Sequence, residues 1–500
     1  MIAFVVFIPP NYFTTFTPYK QATLSIFKTL FKDTFIYGLA MVLPKLVNLL
    51  LNGLYTDVLQ TSQYSEITSF YVYAGFINVI LTYGMETAFF RFYNKSENKK
   101  VVYTTALISL LVSLLVFVGI VFVFKNEIAL WCKVSVPVLL MLIGLVAFDI
   151  LVVIPFAYYR IKGKAVAYAG IRVFTLVIVN GLLNLFFLKW VDSYQISLPN
   201  LLVFEAKESY VFLANFIANA LMVVLVFPNY FRFPWKFDKA IFKQMQQYGL
   251  PILVAGVAFL VIENIDKLIM RDMLGKDVMG AYSACYKFGV FLMLFIQAFR
   301  MGIEPFFFSQ ADKTDAKASY AVVLKFFVIF ASLGILVVLT FQELFTKIII
   351  KDASYLTAIK IVPIILVANW CLGVYQSLSV WYKVTDNTKY GMYFTIFGAV
   401  VTLLINYILI PKIGFMAAAY ATLVAYAGMM LLSYFFGQRF YKIPYNVPQL
   451  LLYLGVALGL SWLSLNVLPQ AFFVKVILIL LYLMIIITFE KNSIKRLLKR

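Results

Sequence analysis

The sequence predicts an all-α polytopic membrane protein with about 14 transmembrane helices. These form two six-helix lobes in a pseudo-two-fold, parallel-repeat arrangement, followed by two C-terminal helices. Three observations predict it. Apolar stretches of roughly twenty residues run almost end to end, each long enough to cross a hydrocarbon core of about 30 Å. The composition is 63% hydrophobic and 13% charged with mean hydropathy +0.92, whereas soluble domains carry about a quarter charged residues. The net charge of +20 resides in short connections, which makes it an orientation signal rather than a nucleic-acid surface.

The stretch Met1 to Pro10 is apolar but too short to span. It lacks a basic leading region and ends in Pro9-Pro10, so residues 1–32 are expected to form a cytoplasmic extension rather than a signal peptide or a helix. The first span, about 34–56, carries Lys45, Asn48 and Asn52 on one face, with Pro44 as a kink beside the lysine. The second, about 66–90, repeats the pattern with Tyr71, Gly75, Asn78, Thr82 and Glu86 on one stripe. The third (about 101–124) is plain apolar. The fourth (135–158) holds the single acid Asp149, and the fifth (165–188) places Arg172, Asn180 and Asn184 on one face. The sixth (208–227) completes a first lobe over 33–227. A linker follows at 228–247, where Phe231, Arg232, Phe233, Trp235, Lys236 and Phe237 suit the headgroup layer.

The second lobe, 248–437, opens with a span at about 248–271 kinked near its start by Pro251 and crowded by Glu263, Asn264, Asp266 and Lys267. The eighth span (278–303) has Lys287 near its middle and Gln297, Arg300 and Glu304 at helical spacing below it. The ninth lies at 318–342. The tenth (355–381) adds Lys360, Asn369 and Gln376, and two more follow at 388–410 and 414–436. Residues 438–500 supply the last two spans, 448–467 and 471–489, and a basic tail. Basic loops alternate with poorer ones holding Asp57, Glu66, Asp192, Glu205 and Glu208, which places both termini in the cytoplasm and requires an even number of spans.

An internal repeat supports the two lobes. Tyr37-Gly38-Leu39 recurs as Tyr248-Gly249-Leu250 about 211 residues later, and the Glu86 segment ending in Phe89-Phe90 recurs about 218 residues later at Glu304, ending in Phe307-Phe308. Six spans per lobe is even, so the lobes share one orientation about an axis along the membrane normal.

An ionisable side chain at membrane depth costs a few kcal/mol or more and normally faces protein or a water-filled cavity. Polar stripes on the first, second, seventh and eighth spans are what a central cleft between lobes needs. Lys45, Arg172, Lys287 and Arg300 have no obvious local partner and would seek an anion there. Glu263–Lys267 and Arg300–Glu304, at i,i+4, can instead neutralise each other. Arg91, Arg160 and Arg271 lie at span ends and can snorkel to headgroups. Asp149 can serve as an ion site or as a partner of Arg172.

Several chemistries lose their tools. There is no histidine, hence no His general base, His metal ligand or His-based pH switch. Cys132, Cys285 and Cys371 are scattered and suggest neither a disulfide frame nor a zinc site. No phosphate-loop motif occurs and no cofactor or metal is expected, so transport would run on an ion gradient, the membrane potential or substrate concentration. No connection exceeds about twenty residues, which disfavours a membrane glycan polymerase or ligase with a large acceptor-binding loop.

Several ordered segments carry a resemblance. Tyr37-Gly38-Leu39 is followed by Leu54-Tyr55-Thr56-Asp57-Val58-Leu59, by Tyr83-Gly84-Met85-Glu86-Thr87-Ala88-Phe89-Phe90-Arg91-Phe92, and by Glu263-Asn264-Ile265-Asp266-Lys267. Gln297-Ala298-Phe299-Arg300-Met301-Gly302-Ile303-Glu304-Pro305-Phe306-Phe307-Phe308 and Gly414-Phe415-Met416-Ala417-Ala418-Ala419-Tyr420-Ala421-Thr422 complete the set. Together they resemble the oligosaccharide flippases of the multidrug/oligosaccharidyl-lipid/polysaccharide exporter superfamily over nearly the whole chain. The resemblance implies a V-shaped pair of lobes in a bacterial cytoplasmic (inner) membrane. It implies movement of an undecaprenyl-pyrophosphate-linked oligosaccharide to the outer leaflet, for cell-surface polysaccharide or lipopolysaccharide synthesis. Membrane lipids and envelope-assembly proteins such as a glycan polymerase would be the partners, with no nucleic acid and no catalysis. Under that reading Lys45, Arg172, Lys287 and Arg300 are headgroup contacts, Glu86 and Glu304 are gate or inter-lobe contacts, and Asp149, Glu263 and Asp266 are candidates for ion coupling. A lipid II flippase and a cation-coupled multidrug exporter of the same superfamily are the alternatives.

Overall fold

The computed structural model describes residues 42–199, 202–310 and 315–498. Where described, the expected positions of the fourteen spans are helical. They are α1 (42–58), α2 (Thr61–Lys95), α3 (Lys99–Val123), α4 (Val136–Ile161), α5 (Ala165–Ser193), α6 (Ser209–Phe231) and α7 (Lys239–Leu274). They continue as α8 (Lys276–Tyr286 and Gly289–Gln310), α9 (Ala316–Thr340), α10 (Ala353–Val384), α11 (Lys389–Ile413), α12 (Met416–Phe440), α13 (Val447–Asn466) and α14 (Phe472–Leu498). Among the described residues eleven helices are long and apolar enough to cross a membrane, and a twelfth results if the two parts of α8, bent by 45°, form one span. The count of fourteen is not reproduced by that measure. The described part of α1 is too short for it.

Backbone amides in hydrocarbon must be satisfied within their own segment, and helices do this. Large side chains such as Leu115, Val123, Phe435 and Leu480 are exposed on the outer faces. In an integral membrane protein that surface meets lipid.

The first six helices pack around α4, which contacts α2, α3 and α6. In the second half α12 is central and packs against α10 and α11. The two halves meet mainly where α2 runs antiparallel to α7 and where the first part of α8 crosses α2. The last two helices lean on α9. Buried Glu490 of α14 accepts Lys325 at 2.6 Å, Tyr453 at 2.7 Å and Gln449 at 2.8 Å. This cluster anchors the pair.

Three departures from the sequence expectation have local causes. Helix α7 begins at Lys239 rather than near 248, because the Asp238 carboxylate caps it by accepting from the amides of Ala240 and Ile241. The amphipathic half of the expected linker is therefore the first turns of α7. Helix α2 breaks at Tyr83 and Gly84, both with positive φ, and α8 breaks at Lys287 and Phe288. Helix α5 is α-helical only in part, with π-helical turns over Phe174–Val179 and Phe186–Trp190. The Tyr37-Gly38-Leu39 half of the repeat and the extension 1–32 lie outside the described residues.

Candidate functional site

The charges singled out in the sequence form a chain that crosses from one half of the molecule to the other. Asp149 of α4 and Arg172 of α5 are near neighbours, and Lys45 of α1 lies within charge–charge range of both Arg172 and Glu263 of α7. Glu263 in turn neighbours Lys267, and Lys267 neighbours Lys287.

The partners differ from the simplest pairing. Lys267 does not neutralise Glu263 by a side-chain ion pair. Its ammonium donates to the Glu263 main-chain carbonyl and to Asp266 at 3.2 Å, and lies 4.2 Å above the ring of Tyr286. The Glu263 carboxylate accepts from the Tyr426 hydroxyl, and Asp266, fully buried, accepts from Tyr282 at 2.8 Å. Asp266 is thus a structural anchor among α7 and α8, while Glu263 also faces Lys45. Lys287 stands at the bend of α8, where Asn369 of α10 donates to the Gly289 carbonyl at 3.3 Å and holds the break. Arg300 is exposed, on the part of α8 beyond that bend, in charge range of the Tyr382 hydroxyl. The side chain of Glu304 lies outside the described residues.

Lys45, Arg172 and Lys287 share a further property. Among the described residues none of them makes an ion pair within 4.0 Å of a carboxylate. Arg172 donates instead to the Tyr168 hydroxyl at 2.7 Å, one helical turn before it. Its position follows from α5, where the π-helical turns begin two residues later and rotate the rest of the helix; such turns recur at functional sites.

Arg172 and Asp149 also line an open cavity of about 480 Å³ walled by α2, α4, α5 and α6. Asn78 reaches Asp149 across it at 3.4 Å, and Asn215 and Asn219 of α6 complete its polar wall. The sequence placed these polar groups in a cleft between the lobes; the open cavity that part of them line is walled by helices of the first half.

Glu86 lines the same cavity and pairs at 2.8 Å with Arg160, which also lies 4.8 Å from the ring of Phe90. That bond stays within the first half and does not cross to the other. The crossing contacts at this basic end are Gly84 against Gly249, and Arg91 and Phe92 against Tyr248. Arg91 therefore covers a ring of the other half, and Arg160 is paired.

The crossing contacts at the opposite end were missed in the sequence. Arg271, 6% exposed, bonds Glu66 at 3.4 Å and the Lys133 carbonyl at 3.0 Å, and Lys276 bonds Glu66 at 2.6 Å. Lys133 pairs with Asp272, and Asp277 accepts from Thr61. Nearby, Asn52 donates to the Ile349 carbonyl at 2.8 Å and Tyr355 to the Leu59 carbonyl at 2.8 Å. Arg271 at a span end read as a snorkelling residue. Its carboxylate partner lies about 200 residues away, which local spacing does not reveal.

With this geometry in place, the comparisons agree on the fold. A structure titled as lipid II flippase MurJ in an inward closed conformation superposes with a TM-score of 0.71 at 15% identity, covering 92% of this chain and 100% of that one. A multidrug resistance MATE family transporter in an inward-facing conformation gives 0.64 at 12% identity, over 81% of this chain and 97% of the other. A transporter from Pyrococcus furiosus, described as having a binding pocket of reverse polarity, gives 0.57 at 13% identity, over 82% and 95%. No curated protein sequence matches the chain. The MatE profile matches residues 251–408, and the polysaccharide biosynthesis protein profile matches residues 30–311, more than half of the chain. The chain is therefore a member of the polysaccharide biosynthesis protein family, within the superfamily of multidrug, oligosaccharidyl-lipid and polysaccharide exporters.

Proposed function

We propose that this protein flips an undecaprenyl-pyrophosphate-linked oligosaccharide from the inner to the outer leaflet of a bacterial cytoplasmic membrane. The observation that carries the reading is the set of three cations within the expected spans, Lys45, Arg172 and Lys287, with no ion-paired carboxylate among the described residues. A cation at membrane depth is stable when an anion can reach it, and a pyrophosphate concentrates the required charge and acceptor oxygens in one group. Lys45 and Lys287, on helices from the two halves, are the headgroup contacts in this reading, with Arg300 along the path. The polyprenyl tail stays in lipid.

Residues 33–227 and 248–437 then act as two lobes that rock about the charged chain, and the basic loops face the cytoplasm with both termini. The polar contacts at the Arg271 end and the packing contacts at the Tyr248 end become alternately made and broken. Glu263, which lies between Lys45 and Lys267, is the acid best placed to couple an ion to that movement.

Mass spectrometry of polyprenyl lipids from cells depleted of the protein tests the proposal. Accumulation of a pyrophosphate-linked repeat unit is the expected result and identifies the glycan. Accumulation of lipid II instead would move the protein to the activity named for its MurJ-like structural neighbour. An unchanged lipid profile would overturn both and leave export of small molecules as the reading.

A further inference from the structure

We infer that the eight-residue helix following α9, Gln342–Ile349, is a relay through which the C-terminal pair α13–α14 holds the Arg271 end of the interface closed. The inference deepens the rocking reading proposed above and rests on it for the movement alone. Helices of fewer than about 12 residues are marginal on their own, so the place of this one depends on what grips it. It is gripped at both ends, by elements from different halves of the molecule. In front, Glu343 accepts from Lys475 of α14 at 3.3 Å, and the ring of Phe341 lies 5.6 Å from that of Phe472. Behind, the Ile349 carbonyl accepts from Asn52 of α1 at 2.8 Å and from Thr56 at 3.2 Å, while the Lys351 amide donates to Thr56 at 3.1 Å. The last carbonyls of a helix have no partner within it, so the first half supplies the cap. A Cβ at Gly53 would lie 2.2 Å from the Ile348 carbonyl oxygen, so the two main chains meet closely there.

The front grip is specific. Lys475 sits in the first turn of α14 with its side chain 7% exposed. Burial strips its hydration and a helix N-terminus repels a cation, so the position is unfavourable twice over. The Glu343 carboxylate offsets both. At the other end of the same helix, Lys325 of α9 bonds Glu490 at 2.6 Å. The two ion pairs pin α14 alongside α9 and make it a brace for the short helix. Phe345, 4.6 Å from Phe291, adds a contact to α8 beyond its bend, while Leu344 and Ile348 are left exposed on the outer face. With Glu343 released, the front of the helix is held by ring contacts alone. Its turns then fray, the cap to α1 weakens, and the closure weakens with it.

The test is double electron–electron resonance on the full-length protein in nanodiscs without cargo, spin-labelled at Tyr194 and Met273 on opposite halves. Glu343→Gln and Lys475→Met should each raise the separated population about two- to fivefold, the shift a partly exposed ion pair can supply. The charge swap, Glu343→Lys with Lys475→Glu, should bring it back towards the native value. In an Asn52→Leu, Thr56→Val background, where the cap is already gone, Glu343→Gln should add little. Unchanged distances in both single variants would overturn the relay. So would a full effect of Glu343→Gln without the cap, or a folded swap that stays separated. Lys475→Met strands no charge, and it remains readable if Glu343→Gln does not fold. The lipid profile of depleted cells is read independently. Glycan lipid that accumulates while the distances stay unmoved keeps the flippase reading and removes the relay; moved distances with an unchanged profile do the reverse.

Discussion

The two ends of the interface between the halves are closed by different physics. At the Arg271 end, charged groups meet across the interface, and Gly53 and Gly280 bring main chain against main chain. At the Tyr248 end the crossing contacts are steric and aromatic, built on Gly84, Gly249, Arg91, Phe92 and Tyr248, with the charged pair Glu86–Arg160 kept to one side. An ion-paired closure is specific in register and opens only when both charges are rewetted or re-paired. An aromatic and glycine contact slides at lower cost. The difference marks the Arg271 end as the latch and the Tyr248 end as the closure that opens at lower cost.

The strongest way to break that contrast is Gly280→Ala. An added Cβ would sit 1.9 Å from the Thr61 carbonyl oxygen, a main-chain atom in α2 that cannot rotate away. The latch should open. Spin labels at Tyr194 and Met273, on opposite halves at that end, should report a longer, broader distance distribution, whereas an unchanged distribution would remove the latch from the argument. The native cysteines are buried and do not compete for label.

Glu66→Gln is next. It leaves Arg271, whose side chain is 4% exposed, with neutral acceptors only, and the penalty for breaking such a buried ion pair is up to about 3–5 kcal/mol. Thermal unfolding in detergent should shift down, and the same spin-label pair should show a second population. Retained stability would mean that water already solvates the guanidinium.

These two positions also show where the sequence was legible. Apolar length alone located the long helices among the described residues, because a bilayer leaves the backbone no other choice. The interior charges were found for the same reason: each is an exception to a strong rule. What stayed hidden depends on pairs distant in sequence. Arg271 looked like a headgroup residue until Glu66 appeared beside it. The break at Tyr83-Gly84 fell inside a stretch quoted as a motif, yet only contact with Gly249 explains why the chain turns there. The walls of the open cavity stayed hidden for a related reason. Stripes on single helices show that polar faces meet something, but not whether the partner is in the same half.

At the Tyr248 end, Gly84→Ala sharpens the comparison. Gly84 has φ +72°, and a Cβ there would lie 2.5 Å from the Gly249 carbonyl oxygen. Left-handed backbone costs an ordinary residue about 1–2 kcal/mol, to which the clash adds. Transport, followed as clearance of the accumulated lipid intermediate in a depletion strain, should fall several-fold, while the Tyr194–Met273 distance stays as it was. A changed distance would mean that the two ends move as one rigid unit.

The smallest expected effect lies beside the latch. Glu208 precedes α6 and lines a second cavity with Glu66, Lys133 and Lys276. Burial, with a further push from Glu66, raises its carboxyl above the usual carboxylate range, against hydrogen bonding and the attraction of Lys276. Lys133, which pairs with Asp272, is the other cation at this cavity. A folded-state value above the unfolded one means that the folded state prefers the neutral acid. Its contribution to stability is therefore present at low pH and is lost as pH rises through the raised value. Stability measured by thermal unfolding from pH 4 to pH 8 should fall slightly with pH over that window, and Glu208→Gln should flatten the slope and be the more stable protein at pH 8. If the variant instead loses stability at pH 8, the ionised carboxylate is a working member of the latch, and the closure depends on Glu208 as well as on Glu66.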